Sequence, residues 1–187
     1  MTITDTVYAE TREDWRVWLE AHHATAEEIW LVTYRKAVGR PSVAYNDAVE
    51  EALCVGWIDG IRKSLGEDRL AQRFTPRRAG SGYSQTNKER LARLLDQGRV
   101  LPSVVARLKP SDRADAYVFP NDILNAIRER PEAWAFFQTC SAPYQRIRVA
   151  YIETARKRPD AFTGRLDSLL AACEAGRHIG YHIESFY

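Results

Sequence analysis

PSVAYNDAVEEALCVGWIDGIRKSLGEDRLAQRFTPRRAGSGYSQTN, residues 41–87, changes its hydrophobic period once, and that change sets the fold. Ala48, Val49, Ala52, Leu53 and Cys54 recur at helical spacing, which predicts a short helix. At Gly56-Trp57-Ile58-Asp59-Gly60 the period shifts and a strand begins, exposing a carboxylate beside an aromatic ring. Leu65-Gly66-Glu67-Asp68 reads as a turn and Arg69 to Thr75 as the returning strand, so the two form a β-hairpin that delivers Pro76-Arg77-Arg78 to a loop. Ala79-Gly80-Ser81-Gly82 is then a small-residue linker leading to Tyr83 and a Ser84-capped helix that Gly98 stops.

The candidate binding residues follow from this order. Trp57 and Asp59 sit at the helix–strand junction, Arg62 and Lys63 follow along the first strand, and Arg73, Thr75, Arg77 and Arg78 lie towards the hairpin end. Tyr83, Ser84 and Asn87 open the next helix. Arginine holds carboxylate or phosphate with two parallel hydrogen bonds and stacks on rings, and a helix N-terminus offers N–H donors, so the set suits a planar or anionic ligand. A structural reading stands beside it: Asp59 paired with Arg73 or Arg62 across the hairpin, and Ser84 as an ordinary cap.

At these residues the sequence resembles a known family. ALCVGWIDG, QRFTPRR and the Ser-x-x-Asn segment at Ser84 to Asn87 are similar to the YdeI/OmpD-associated, or bacteriocin-protection, proteins, with the resemblance covering residues 14–175. The family has Trp before that serine where this chain has Tyr83, so an aromatic is kept. The resemblance implies a YjbR/CyaY-like fold, a link to envelope stress or bacteriocin tolerance, and, through YjbR-like relatives, nucleic-acid binding. It implies no catalytic residue.

Composition narrows the function classes. With 187 residues, 45% of them hydrophobic, the chain can bury a sizeable core. It has no apolar run of membrane-span length and no basic, apolar start, which predicts a cytoplasmic protein. The formal charge of +2 conceals a segregation: residues 1–61 carry 5 Lys+Arg against 11 Asp+Glu, net −6, whereas 62–93 carry 9 against 3, net +6. The basic 62–93 segment therefore either complements the acidic one or attracts phosphate, nucleic acid or an acidic partner.

Nothing in the sequence carries a recognised catalytic signature. The histidines stand only at 22, 23, 178 and 182, away from any nucleophile elbow, and no glycine spacing matches a phosphate loop. His22 and His23 end a helix without ligands at metal spacing, and Cys54, Cys140 and Cys173 lie far apart within helical patterns as buried thiols. The chain is thus expected to use no cofactor and no metal and to act as a binding protein, monomeric or homodimeric. Its partner is a small anionic molecule or a protein, with nucleic acid as the alternative and a small-molecule hydrolase or transferase as the second.

Towards the N-terminus, Thr11 caps a helix presenting Trp15, Trp18, Leu19 and His22, residues 28–35 form a central strand with both faces apolar, and Asn46 or Ser42 caps the next helix. Residues 99–120, with Pro102, Pro110 and Pro120, read as a linker or draped loop. From 121 onward the pattern is helical, with Trp134, Phe137, Tyr144 and Tyr151 as a core stripe and an apolar tail, His178 to Glu184, that docks on the sheet or across a dimer. The expected architecture is α+β: an antiparallel sheet covered by helices over 1–98, the linker, and a helical bundle over 121–187.

Overall fold

The structure, a computed structural model, describes residues 2–78, 80–181 and 183–186. Among them are eight α-helices and a four-stranded sheet, and the chain divides into two compact units. One comprises residues 1–82 and 90–108, the other 83–89 and 109–187.

The first unit opens with β1 (Thr6–Tyr8), α1 (Arg12–His22) and β2 (Ile29–Tyr34). Thr11 Oγ1 accepts from the Asp14 N–H while Asp14 accepts from the Thr11 N–H, a capping box that fixes the start of α1 as expected. Because α1 carries the chain back to the end of the sheet at which β1 began, β1 and β2 run parallel. The sheet is therefore mixed: β2–β4 and β3–β4 pair antiparallel as expected, and the β1–β2 pairing corrects the expectation of an antiparallel sheet at one edge. Its order is β1-β2-β4-β3, with β2 inside as its apolar faces require. Helix α2 (Tyr45–Cys54) then leads into the hairpin of β3 (Trp57–Leu65) and β4 (Arg69–Pro76).

Helix α2 starts without a side-chain cap: Ala44 holds the capping position, and neither expected residue fills it. Ser42 instead accepts from the Tyr34 N–H at 3.0 Å, pinning the loop to the end of β2. Helix α1 packs on the hairpin through Trp15, whose ring lies 5.2 Å from Phe74 and whose indole N–H donates to Ala48 O at 3.0 Å. Glu51 of α2 is fully buried, yet Arg12, Arg16 and Arg99 all donate to it, which satisfies the carboxylate in a dry setting. The unit closes with the end of α3 (Gln85–Asp96) and the short α4 (Pro102–Val105). Gly98, at φ 66°, stops α3 as expected, with Arg99 N–H returning to Leu94 O.

The second unit contains α5 (Asn121–Arg128), α6 (Pro131–Thr139), α7 (Ala142–Glu153) and α8 (Pro159–Glu174), and α3 begins within it. Ile123, Ile127, Phe137, Val149, Ile152 and Leu169 form its main core. Of the aromatic stripe, Phe137 and Tyr144 are buried and Trp134 is half-buried, but Tyr151 is 48% exposed. Its ring is stacked under Arg165 at 3.8 Å, because position 151 falls on the outer side of α7. The tail docks as expected, but not on the sheet. It docks on its own helical unit, with Ile183 and Phe186 joining Tyr144 and Ile147 in a second apolar cluster. The Tyr144 hydroxyl oxygen accepts from the Ile179 N–H at 2.9 Å. His182 lies outside the described residues.

Candidate functional site

The junction between α2 and β3 turns on Gly56. Its φ of 81° lets Gly56 O accept from the Arg77 N–H at 3.0 Å, which ties the junction to the end of β4. A Cβ on Gly56 would stand 3.1 Å from Arg107 Nη2 and 3.2 Å from Val104 Cγ2, so the missing side chain is what lets Arg107 lie against the junction. Trp57 is the next residue and is only 1% exposed. Its indole donates to His23 O at 3.1 Å, so it acts as a wall behind the junction and not as an open stacking platform.

A hollow of about 450 Å³ opens here, lined chiefly by His23, Gly56, Trp57, Arg77, Ser103 and Arg107. Its described lining brings two guanidinium groups, an imidazole and a hydroxyl together, and no carboxylate. Arg107 is steadied by donating to Ser103 O at 3.0 Å, and Arg77 by donating to Ser81 O and Oγ. A second hollow of about 540 Å³, lined by Glu27, Ile58, Arg73, Thr75, Arg78 and Ser81, shares Pro76 with the first. Pro76 pairs with Trp57 and Thr75 with Ile58, so the two hollows lie to either side of the outgoing strand end.

Asp59 belongs to a different cluster. It pairs with neither Arg73 nor Arg62: the Tyr45 O–H donates to Asp59 Oδ2 at 2.8 Å, and Arg73 instead donates to Glu28. Burial, followed by the Asp59 charge, pushes the Tyr45 phenol up to about 12. Arg62 lies 5.1 Å from the Tyr45 ring and donates to Gln72 Oε1. Arg90, 5% exposed, donates to Asn46 Oδ1 at 2.7 Å; its pKa is lowered by burial, against which Tyr45, Glu50 and Asp59 favour its charge.

A β-bulge decides which strand residues share this face. Asp59 faces Phe74 and Arg62 faces Gln72, so Gly60 and Ile61 together oppose Arg73. The Gln72 amide donates to Gly60 O at 2.7 Å, satisfying a carbonyl that the bulge takes out of the ladder. One extra residue reverses the alternation, placing Arg62 with Trp57 and Asp59 and turning Lys63 to the other face, where its ammonium lies 5.8 Å from the Trp30 ring.

The eleven candidate residues thus separate. Trp57 and Arg77 line the first hollow, Arg73, Thr75 and Arg78 the second, Asp59 and Arg62 the Tyr45 cluster, and Lys63 covers Trp30. Tyr83, Ser84 and Asn87 belong to the second unit, where Ser84 Oγ caps α3 by accepting from the Asn87 N–H at 3.3 Å. Sequence reasoning missed His23, Tyr45, Arg90, Ser103 and Arg107. Only the last two carried a signal: Ser103 and Arg107 are four apart behind Pro102, a residue that opens helices, so one face was foreseeable.

Three residues of the basic segment are engaged by its acidic neighbour. Arg73 binds Glu28, Arg93 binds Glu50, and Arg90 is buried among Tyr45, Glu50 and Asp59. Of the three thiols, burial pushes Cys173 up to about 11 and raises Cys54 and Cys140 as well, which makes all three poor nucleophiles.

No curated protein and no solved structure matches the chain. Residues 116–176, in the helical unit, match the family described as bacteriocin-protection, YdeI or OmpD-associated. GWIDG and RFTPRR lie instead within residues 7–107, which match the family described as Domain of unknown function (DUF8412). Since that match spans more than half of the 187 residues, the chain belongs to the DUF8412 family and joins to it a YdeI/OmpD-associated segment.

Proposed function

We propose that the first unit is a binding module for a small anion, held in the hollow at the α2–β3 junction by Arg77 and Arg107 with His23 and Ser103. The observation that carries this reading is the lining itself: two guanidinium groups, an imidazole and a hydroxyl border one hollow whose described walls hold no carboxylate. Charge-assisted hydrogen bonds from arginine are roughly twice as strong as neutral ones, and two guanidinium groups can share one phosphate or carboxylate. Trp57 and Val55 give the space an apolar back wall that raises the strength of those bonds.

The reading is one of binding and not of turnover. The buried thiols are held protonated, and neither Tyr45 nor Asp59 lines the hollow. Calorimetric titration of inorganic phosphate into the whole chain, and into Arg77→Ala with Arg107→Ala, tests it directly. Saturable binding that the double variant loses, at an unchanged melting temperature, supports the module; no heat of binding with phosphate, sulfate or acetate overturns it.

A further inference from the structure

The second hollow gives the ligand of this site a shape. We infer that the molecule bound at the α2–β3 junction is a monophosphorylated polyol, its phosphate in the first hollow and its hydroxyl-bearing body wrapped past Pro76 into the second. This rests on the anion reading above and extends it to the ligand class.

The argument is the difference in chemistry between the two hollows. They share Pro76, the last residue of β4, as a common wall. The first presents cationic and neutral donors only. The second is balanced: Arg73 is already ion-paired with Glu28, and Arg78 stands in the same lining as Glu27. Between them are the hydroxyls of Thr75 and Ser81. A second phosphate would meet Glu27 with like charge, and a purely apolar group would leave five polar side chains without water. A polyol, with hydroxyls that both donate and accept and C–H faces between them, matches a lining in which a carboxylate, guanidinium groups and hydroxyls stand beside Ile58 and Pro76.

Ser81 couples the two sides. Its N–H donates to Arg78 O at 3.2 Å and its O–H to the same carbonyl at 2.9 Å, while its oxygen accepts from Arg77. The loop therefore fixes Arg77 at one hollow and Arg78 at the other with a single serine.

Calorimetric titration compares inorganic phosphate, glucose, glucose monophosphate and fructose bisphosphate on the whole chain. Two or three new hydrogen bonds predict glucose monophosphate about tenfold or more tighter than phosphate, with free glucose not binding detectably. Glu27→Gln combined with Thr75→Val is expected to bring the monophosphate to the affinity of phosphate and to leave phosphate itself unchanged. Both positions are at least partly exposed, so melting temperature and circular dichroism check that the variant is folded. Phosphate binding with no gain from the sugar overturns the polyol assignment alone, as does a bisphosphate that binds tightest. Failure of phosphate to bind at all overturns the anion site beneath it.

Discussion

The Tyr45 hydroxyl donates to Asp59 Oδ2 across 2.8 Å and joins the first turn of α2 to β3, fourteen residues later in the chain. It gives Asp59 a structural partner, and replacing either residue should be read first as a stability experiment. Tyr45→Phe removes the donor from a half-buried carboxylate and is expected to cost about 1 to 2 kcal/mol in urea unfolding, with phosphate binding unaffected. Loss of phosphate binding without loss of stability would place Asp59 in the site instead.

Alkaline stability follows from the same phenol. Tyr45, Tyr117 and Tyr144 are each pushed up to about 12, chiefly by burial, so the folded state favours their neutral forms. Raised folded-state pKa values stabilise fully below the ordinary phenol range near 10, and the contribution disappears as pH climbs from there towards 12. Melting temperature should therefore fall steeply over that interval. Tyr45→Phe, already less stable at neutral pH, is expected to show a shallower fall, which a pH series by differential scanning calorimetry would reveal.

Glycine substitutions separate backbone strain from crowding. Gly39 and Gly56 both have positive φ, but a Cβ at Gly39 meets nothing within 4 Å, whereas at Gly56 it meets Arg107 and Val104. Gly39→Ala should cost about 1 kcal/mol from conformation alone. Gly56→Ala is expected to cost more, about 2 kcal/mol, and also to weaken phosphate binding because Arg107 must move. Equal effects at the two sites would show that Arg107 yields freely.

Glu51 is the most exposing test of the first unit's interior. Removing the carboxylate by Glu51→Ala leaves Arg12, Arg16 and Arg99 facing a void, and a loss of about 3 to 5 kcal/mol is expected. Arg99→Ala, at the more exposed edge of that cluster, should cost no more than about 1 kcal/mol. Chemical denaturation of both variants decides whether the cluster holds as a unit.

The tail offers a local prediction in the second unit. Phe186→Ala should destabilise by about 2 to 4 kcal/mol, since Phe186 packs with Tyr144 and Ile183, whereas Tyr181→Ala, at 89% exposed, should cost less. Gly180→Ala is expected to resemble Phe186→Ala, because a Cβ there runs into the Arg148 guanidinium. Proteolysis of the tail in native buffer measures all three.

Much of this protein was legible in its residues. The capping box at Thr11, the apolar run of β2, the change of period at Gly56 and the proline-opened C-terminal helices are local signals, and local signals fix where elements begin, end and face. The site was legible only in part. Trp57 and Arg77 do meet at one hollow, but the bulge at Gly60 and Ile61 regrouped the strand residues around it, and such a bulge leaves no period of its own in a sequence.

By itself, then, the sequence determined the α+β class, the hairpin, the helical C-terminal part and the charge segregation, since each is a property of neighbours along the chain. Tertiary structure alone decided which carboxylates and which hollows the arginines meet. Arg73 and Arg93 found Glu28 and Glu50 across 45 and 43 residues, while Arg77 and Arg107, thirty positions apart, were brought to one wall by the bare backbone at Gly56. A guanidinium reads the same in any sequence; its role depends on the charge that folding sets within a few ångströms of it.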